Sequence, residues 1–404
     1  MRLLTLLFVS SLAAGSLWAD GIPLCTSVRS RIPDDDWRHV ASRYSLVMTL
    51  FSPTARGQDL SGENERVKWI KSLNPKLTML VYGSAINAAN VRLRASGEPT
   101  EHRDWFLRSD TGEWLTDHEY RGALHLDPGN QEWQRFMAQA YQDYISRYGY
   151  DGVFVDLVTP TTHYVNLKKN GKAVNPRTGE VYTDADWKAA NLELLRAIRS
   201  AIGNKLMIIN GAGAGRSYFK DGYSDFLAVA DGAMLEGFLG WWQKPPWKGA
   251  ETDWKTDVDA LVDCAKRGKI ALATANVLKR AEGEPVEAYD ELYRFITASF
   301  LLGMGKGHCF AYYAKVPGQP ESYHPGEEVL PACGKVSLGE PRGAYQQKEG
   351  IYAREFERGK VFVNPTTREG RVHLSGRWKT AEGQAVVSPL VLLAHTGAIL
   401  LREK

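Results

Sequence analysis

Two acidic residues that each close a short apolar run are the strongest candidates for chemistry in this sequence. Asp156 ends the run 150–156, and Glu236 lies near the end of the run 232–238. Both runs are too short and too apolar for surface helices, so we predict that they are buried strands. A buried carboxylate costs free energy unless the fold uses it. Two carboxylates that face one cleft are what the cleavage of a glycosidic bond requires.

Alternating strand and helix patterns indicate how these carboxylates are positioned. Eight apolar strand candidates occur, at 44–51, 76–84, 123–128, 151–158, 205–213, 232–238, 269–277 and 307–314. Helical patterns fall at 63–73, 130–148, 184–202, 253–267 and 286–302, and 218–230 must supply a short helix. Buried strands that alternate with amphipathic helices predict an α/β fold with a parallel sheet, and eight such units close a (β/α)8 TIM barrel. A doubly wound open sheet is the alternative.

The segments that leave the strands are longer than those that enter them. Residues 85–122 and 159–183 leave strands, whereas 74–75 and 203–204 enter them. Long loops at one end of a barrel are typical of binding and catalysis, which supports a site at the carboxyl ends of the strands. Asp151, by contrast, begins its strand, so we predict a structural role for it.

The 404 residues are predicted to form a signal peptide (1–19), a catalytic barrel (20–330) and a small C-terminal all-β, β-sandwich-like domain (331–404). Arg2 and the apolar stretch 3–15 have the charge and length of a secretory signal. No later segment has the roughly 18 apolar residues of a membrane span, so the mature protein is expected to be secreted or periplasmic. Short strand patterns separated by Gly-containing turns predict the β domain.

Composition and spacing argue against several function classes. The net charge is +3, with both signs spread along the chain, so no basic stripe suggests nucleic acid. The four cysteines, Cys25, Cys264, Cys309 and Cys333, lack zinc-site spacing, so we expect no metal and no cofactor. Export permits disulfides, and proximity in the chain favours Cys309 with Cys333.

Three segments carry a resemblance to a known family. They are Gly-Tyr-Asp-Gly-Val-Phe-Val-Asp at 149–156, Asp-Gly-Ala-Met-Leu-Glu-Gly-Phe at 231–238 and Phe-Val-Asn-Pro at 362–365. The first resembles the fourth-strand signature of glycoside-hydrolase-like TIM barrels. The combination is similar to the bacterial hypothetical glycoside hydrolase family 15, over roughly residues 40 to 400. The resemblance implies a barrel that acts on polysaccharides, without fixing the substrate.

Carboxylates on the fourth and sixth strands also resemble the site layout of the α-galactosidase and α-glucosidase clans. That resemblance implies that Asp156 is the nucleophile and Glu236 the acid/base. The sixth-strand residue of those clans is Asp, and the longer Glu leaves retention or inversion open at this point. Glu236 must hold a proton to donate to the leaving group, so burial and the charge of Asp156 are expected to raise its pKa.

Five further residues near strand ends are predicted to contact the substrate. They are Tyr82, Asp127, Asn210, Trp241 and Trp242. An indole ring stacks on a sugar ring, and polar side chains bond sugar hydroxyls. Asp127 serves equally well as a helix cap, and packing or loop hydrogen bonds explain Tyr82 and Asn210 equally well. The histidines near strand ends lack ligand spacing and are expected to be structural.

The sequence therefore favours an exported, retaining glycoside hydrolase that cleaves a poly- or oligosaccharide through Asp156 and Glu236 without a cofactor. A non-catalytic glycan-binding TIM barrel is the alternative, because fold alone does not establish chemistry. A polysaccharide deacetylase is a third candidate, but it would need a metal triad that the scattered histidines do not offer. The sugar, its linkage and the oligomeric state are left open.

Overall fold

The computed structural model describes residues 21–28, 32–49, 61–88, 99, 101–118, 123–167, 171–211, 215–315 and 332–403. The predicted signal peptide (1–19) and the predicted domain boundary at 331 lie outside the described residues and stay predictions. Among the residues that are described, no helix is both long and apolar enough to cross a membrane.

Eight parallel strands form the central sheet. They are β1 (Cys25–Val28), β2 (Leu46–Thr49), β3 (Thr78–Ser84), β4 (Gly152–Asp156), β5 (Leu206–Ile209), β6 (Gly232–Leu235), β7 (Ile270–Leu278) and β8 (Cys309–Lys315). Their order in the sheet is their order in the chain. Leu24 pairs with Phe310 of β8, which brings the first strand against the last. The predicted (β/α)8 TIM barrel is therefore confirmed.

Helices alternate with these strands along the chain. In the described residues they are α1 (Asp34–Arg43), α2 (Glu63–Leu73), α3 (Gln131–Tyr148), α4 (Asp184–Ile202), α5 (Gly215–Lys220), α6 (Glu251–Lys266) and α7 (Val286–Gly303), with 3₁₀-helices at Arg103–Trp105, Tyr223–Ala228 and Ala332–Lys335. The side chain of Asn130 accepts from the backbone N–H of Glu132 and Trp133, and that of Thr183 accepts from Asp186. These N-caps satisfy first-turn donors and explain where α3 and α4 begin.

One predicted barrel strand is wrong and one barrel strand was missed, so the count of strands before Asp156 is unchanged. No apolar run marks β1, because Cys-Thr-Ser-Val is too short and too polar to stand out. The segment 123–128 is not a barrel strand: Leu124–His125 pairs antiparallel with Asn87–Ala88 in a separate sheet. A short alternating run is equally typical of such a pairing. Asp156 therefore still ends the fourth barrel strand, and Glu236 still follows the sixth.

An all-β domain follows the barrel, as predicted. Its strands in the described residues are β9 (Gln346–Lys348), β10 (Ile351–Glu355), β11 (Gly359–Asn364), β12 (Gly370–Val372), β13 (Trp378–Thr380), β14 (Ala385–Val386), β15 (Leu390–Leu392) and β16 (Thr396–Arg402). One sheet has the order β9–β10–β11–β16–β13–β14, and β12 pairs with β15 in a second. The sequence did not indicate β9, β13 and β14, because β9 and β13 are short and mostly polar and β14 has only two residues.

Arg354 anchors this β domain on α7. Its Nη1 donates to the carbonyl oxygens of Leu301, Leu302 and Met304, at 3.1, 2.9 and 2.7 Å. Carbonyls at a helix C-terminus lack partners within the helix, and a cation satisfies them and the helix dipole. Burial lowers the pKa of Arg354 to about 10, so the guanidinium stays charged at neutral pH. The β domain therefore packs on the barrel through a charged, directional contact.

Cys309 and Cys333 are both buried free thiols, so the predicted Cys309–Cys333 disulfide is wrong. Cys309 lies in the apolar layer inside the barrel, with Cys25 and Met48. Cys333 packs outside the barrel wall, where its Sγ is 3.7 Å from Thr297 Oγ1 of α7. The sheet itself separates the two thiols. Burial raises the pKa of Cys309 to about 12, which keeps it in the unreactive thiol form.

Candidate active site

The candidate residues stand on the apolar layer that fills the barrel. That layer consists of Cys25, Leu46, Met48, Leu80, Phe154, Ile208, Met234, Leu272, Cys309 and Ala311. Side chains two residues apart on a strand point to the same side. The next inward positions toward the carboxyl ends are Tyr82, Asp156, Asn210, Glu236 and Thr274. The barrel therefore gathers four of the residues predicted for the site at one end.

Asn210 links the two candidate carboxylates directly. Its Nδ2 donates to Asp156 Oδ1 and to Glu236 Oε2, at 2.9 Å in each case. The two accepting oxygens can therefore lie no farther apart than twice that distance. Asn210 is only 6 % exposed, its backbone N–H donates to Val155 O, and its carbonyl accepts from Val158 N. The amide is thus fixed between β4 and β6, and the two carboxylates meet in one cluster.

Hydrogen-bond donors approach Asp156 on both of its oxygens. Besides Asn210, the backbone N–H of Leu157 donates to Oδ1 at 2.8 Å, and Tyr82 donates its hydroxyl to Oδ2. Such donors favour the charged form of a carboxylate. Leu157 has a φ of 57°, a left-handed conformation that is costly for this residue type and is concentrated at functional sites. The chain therefore turns sharply after Asp156 and leaves its side chain partly exposed.

The loop after Glu236 is bent through left-handed residues and tied down by hydrogen bonds. Positive φ angles of 66°, 63°, 126° and 47° occur at Gly237, Leu239, Gly240 and Trp242. The backbone N–H of Gly237 donates to Thr274 Oγ1 at 2.9 Å, and Trp247 Nε1 donates to Leu239 O at 2.8 Å. This loop therefore has a defined shape, although its residues make no regular secondary structure.

Trp241 and Trp242, both predicted to bind substrate, lie in this loop. Trp241 is 49 % exposed, and its indole rests against Gly237: a Cβ added there would lie 2.7 Å from the indole Cε2 and Nε1. Trp242 is half-buried, and the two ring centroids are 6.3 Å apart. Both rings lie close to Glu236 in the chain, and Trp241 offers the more open one.

Asp257 of α6 is expected to make stability depend on pH. Its carboxylate accepts from the backbone N–H of Leu239 at 2.7 Å and of Gly215 at 2.6 Å, and burial raises its pKa to about 7. The ordinary pKa of Asp is about 3.9. Between these values the native state holds a proton that the unfolded chain has lost, so the free energy of unfolding should fall as the pH rises through this window.

Urea unfolding of the wild type and of Asp257→Asn at pH 5 and pH 8 measures this effect. The variant cannot titrate at this position, so its loss of stability between the two pH values should be smaller than that of the wild type. Equal losses in both proteins would show that Asp257 does not cause the dependence.

Asp127 lies in a separate buried cluster rather than with the two carboxylates. It is 1 % exposed, and its Oδ1 accepts from Gly129 N at 2.9 Å and from the Tyr182 hydroxyl at 2.7 Å. Burial raises its pKa. Asn130, not Asp127, caps α3. Asp127 therefore holds the turn before α3 against the segment after β4, and we leave it out of the proposed site.

A buried polar network that the sequence did not indicate joins the segments after β3 and β4. Asn87 Nδ2 donates to Asp117 Oδ2 at 2.6 Å, Tyr164 donates to the same oxygen at 3.0 Å, and His125 Nδ1 is 2.8 Å from Asn87 Oδ1. Asp117 and His125 are 2 % and 1 % exposed. These contacts give His125 a structural place. Within the described ranges, no three His, Cys, Asp or Glu side chains come together in a way that could hold a metal ion.

Tyr223 lies beside the site and gave no signal in the sequence. It is fully buried, and burial, together with the charges of Asp156 and Glu236, raises its pKa well above the ordinary value. Its hydroxyl has no hydrogen-bond partner among the described residues. The sequence predicts only a short helix over 218–230, and a helical pattern does not show which of its residues lies near the charges of two carboxylates.

Comparison with models of protein families shows which family this chain belongs to. The model of hypothetical glycosyl hydrolase family 15 matches residues 71–360. The chain belongs to this family. The resemblance drawn from the sequence is therefore confirmed, and membership in hypothetical glycosyl hydrolase family 15 places the protein among the glycoside hydrolases. A comparison with curated proteins finds no match.

Solved structures similar to this member of hypothetical glycosyl hydrolase family 15 include glycoside hydrolases of several families. A GH27 β-L-arabinopyranosidase from Geobacillus stearothermophilus has 10 % identity and a TM-score of 0.52, covering 96 % of this chain and 97 % of its own. Amy13B from Eubacterium rectale has 13 % identity and a TM-score of 0.56, covering 96 % of each chain. An α-amylase from Geobacillus thermoleovorans has 11 % identity and a TM-score of 0.53, covering 96 % and 99 %. At these identities the similarity shows the fold alone.

Proposed function

We propose that the protein is an exported, retaining glycoside hydrolase in which Asp156 is the nucleophile and Glu236 the acid/base. One observation carries the proposal: Asn210 Nδ2 is 2.9 Å from an oxygen of each carboxylate. Two accepting oxygens that share one amide nitrogen fit the separation of about 5–5.5 Å of a retaining pair better than the separation of about 6.5–9.5 Å at which an inverting pair admits a water molecule. This closeness supports direct attack by the carboxylate.

The reaction then proceeds in two displacements. An oxygen of Asp156 bonds to the anomeric carbon, the bond from that carbon to the leaving-group oxygen breaks, and Glu236 transfers its proton to that oxygen. Glu236 then takes a proton from a water molecule, whose oxygen displaces Asp156 from the anomeric carbon. The donors Tyr82 and Leu157 suit Asp156 to this role, since they favour a carboxylate that is charged before the attack and again after release.

Tyr82, Trp241 and Trp242 are the proposed sugar contacts. Tyr82 donates to Asp156, and the two tryptophans lie in the loop that follows Glu236. The fold is shared by an arabinopyranosidase and by an α-amylase, so it leaves the sugar open, and we propose a poly- or oligosaccharide without naming it. Export rests on Arg2 and the apolar stretch 3–15.

Proton NMR of the first product tests the proposed mechanism. The protein is incubated with a panel of glycosyl fluorides and disaccharides, and the anomeric signal of the released sugar is recorded before it mutarotates. We expect the product to have the anomeric configuration of the substrate, because two displacements restore it. The opposite configuration would contradict a covalent intermediate on Asp156. If no substrate releases a sugar, the glycan-binding barrel becomes the better explanation.

A further inference from the structure

We infer that Trp241 is the binding platform for the sugar on the leaving-group side of the cleaved bond. The enzyme would then act on glycosides whose leaving group is itself a sugar ring. The inference rests on the proposed function, in which Glu236 protonates the leaving group. It goes beyond that proposal because it assigns Trp241 to one side of the bond and so defines a class of substrate.

The indole of Trp241 is open to solvent. Of the tryptophans in the described ranges, Trp241 alone is exposed, at 49 %. Exposure by itself is common for apolar side chains and does not mark a site. What distinguishes Trp241 is the way in which its ring is held.

The indole of Trp241 packs on the main chain of the residue that follows Glu236. An added Cβ at Gly237 would lie 2.7 Å from Cε2 and Nε1 and 2.9 Å from Cδ1, so the five-membered ring covers that glycine. A side chain at position 237 would push the ring away, and the φ of 66° also favours glycine there. The ring is thus held on the main chain one residue beyond the proposed acid/base, with part of its surface open.

Hydrogen bonds fix the loop that carries Trp241. Asp257 Oδ2 accepts from Leu239 N at 2.7 Å. Gln243 Nε2 donates to Gly240 O at 3.1 Å, and Gln243 N donates to Asn276 O of β7 at 2.9 Å. The left-handed backbone of Leu239 shows that the fold tolerates strain to keep this shape. A platform that is already ordered loses less conformational entropy when a ligand binds.

The two carboxylates have different neighbours, and this difference places Trp241 on the leaving-group side of the cleaved bond. Tyr82 donates to Asp156, so it borders the sugar whose anomeric carbon is attacked. Trp241 rests on Gly237, the residue after Glu236, and Glu236 gives its proton to the leaving-group oxygen. A sugar ring attached to that oxygen would therefore lie over Trp241, where its apolar face can stack on the indole.

Two substrates that share the same attacked sugar test the inference. One is a disaccharide, and the other is the glycosyl fluoride, which places no ring over Trp241. Trp241→Ala should lower kcat/KM for the disaccharide by about tenfold and for the fluoride by less than about twofold, as the loss of one stacking contact predicts. Trp241→Phe should recover part of the loss. Phe136→Ala on α3 removes an aromatic side chain that is 38 % exposed and should change neither value.

The outcomes separate this inference from the proposed function. Equal losses on both substrates would show that the substitution disturbs the part of the site that holds the attacked sugar. A loss on the disaccharide that Trp241→Phe does not recover would show that the substitution acts through Glu236, and unchanged disaccharide cleavage would show that no sugar lies on Trp241. Any of these results overturns the inference while the hydrolase assignment stands. A wild type that cleaves no fluoride or disaccharide of the panel would overturn the proposed function and the inference with it.

Discussion

Asp156→Asn is expected to lower kcat by about 10⁴-fold or more, because it removes the nucleophile and keeps the shape of the side chain. An amide oxygen at this position can still accept from Leu157 N and Asn210 Nδ2, which lie 2.8 and 2.9 Å from Oδ1. The fold should therefore survive. Thermal unfolding checks the fold, and initial rates on the substrate found with the NMR panel measure the loss.

Asp151→Asn is the matched control, since Asp151 lies at the other end of the same strand. Its Oδ2 accepts from Lys71 Nζ and from Met79 N, the latter at 2.8 Å. The substitution should lower the free energy of unfolding by about 1 kcal/mol, because the ion pair is partly exposed, and leave kcat/KM unchanged. The nucleophile assignment would fail if both variants lost activity alike, or if Asp156→Asn stayed within about tenfold of the wild type.

The reaction of Asp156→Ala with sodium azide distinguishes a nucleophile from a residue that only supports the fold. Azide entering the space of the missing carboxylate attacks the anomeric carbon from the face that Asp156 would use, and fluoride leaves from a glycosyl fluoride. One displacement gives a glycosyl azide of inverted configuration, which NMR identifies. If Asp156 only supports the fold, azide should not produce this compound.

The two ends of a barrel strand have different roles, and the sequence could predict this. Asp231 precedes β6 as Asp151 precedes β4: it accepts from Arg199 Nη2 at 2.6 Å and from Met207 N at 2.8 Å. The candidate carboxylates of the same two strands lie at the opposite, carboxyl ends. In this fold the former end serves stability and the latter chemistry. The sequence shows which end of an apolar run is its carboxyl end. An acidic residue at that end could therefore be assigned to the active-site end of the barrel.

The bridge made by Asn210 could not be predicted from a linear pattern. It depends on how β5 registers with β4 and β6, where Ile209 lies opposite Val155 on one side and Ala233 on the other. The helix α4, by contrast, has the predicted bounds, because Thr183 caps its first turn within four residues of sequence. Local hydrogen bonds are thus visible in the sequence, and contacts across strands are not. The disulfide prediction failed for the same reason, since proximity in the chain did not show that a sheet separates Cys309 from Cys333.

Glu236→Gln is expected to lower kcat/KM most for substrates whose leaving group must be protonated as it departs. For a disaccharide kcat/KM should fall by about 10²–10⁴-fold, the usual contribution of a general acid. For the glycosyl fluoride kcat/KM should change little, because fluoride leaves without full protonation. The amide can still accept from Asn210 Nδ2, now 2.9 Å from Oε2, so the cluster should keep its shape. Asp231→Asn, at the other end of β6, is the control and should treat both substrates as the wild type does.

Azide is expected to give a product of opposite configuration when the acid/base, and not the nucleophile, is replaced. In Glu236→Gln the glycosyl–Asp156 ester still forms from the fluoride, but no base activates water to release it. Azide needs no base, so it should raise kcat and give a glycosyl azide of retained configuration after two displacements. A glycosyl azide of retained configuration from Glu236→Gln would identify Glu236 as the acid/base. A glycosyl azide of inverted configuration from Asp156→Ala would identify Asp156 as the nucleophile, because azide then attacks the face that Asp156 would use. The same configuration from both variants would contradict the assignment, and a barrel that only binds glycans would give neither product.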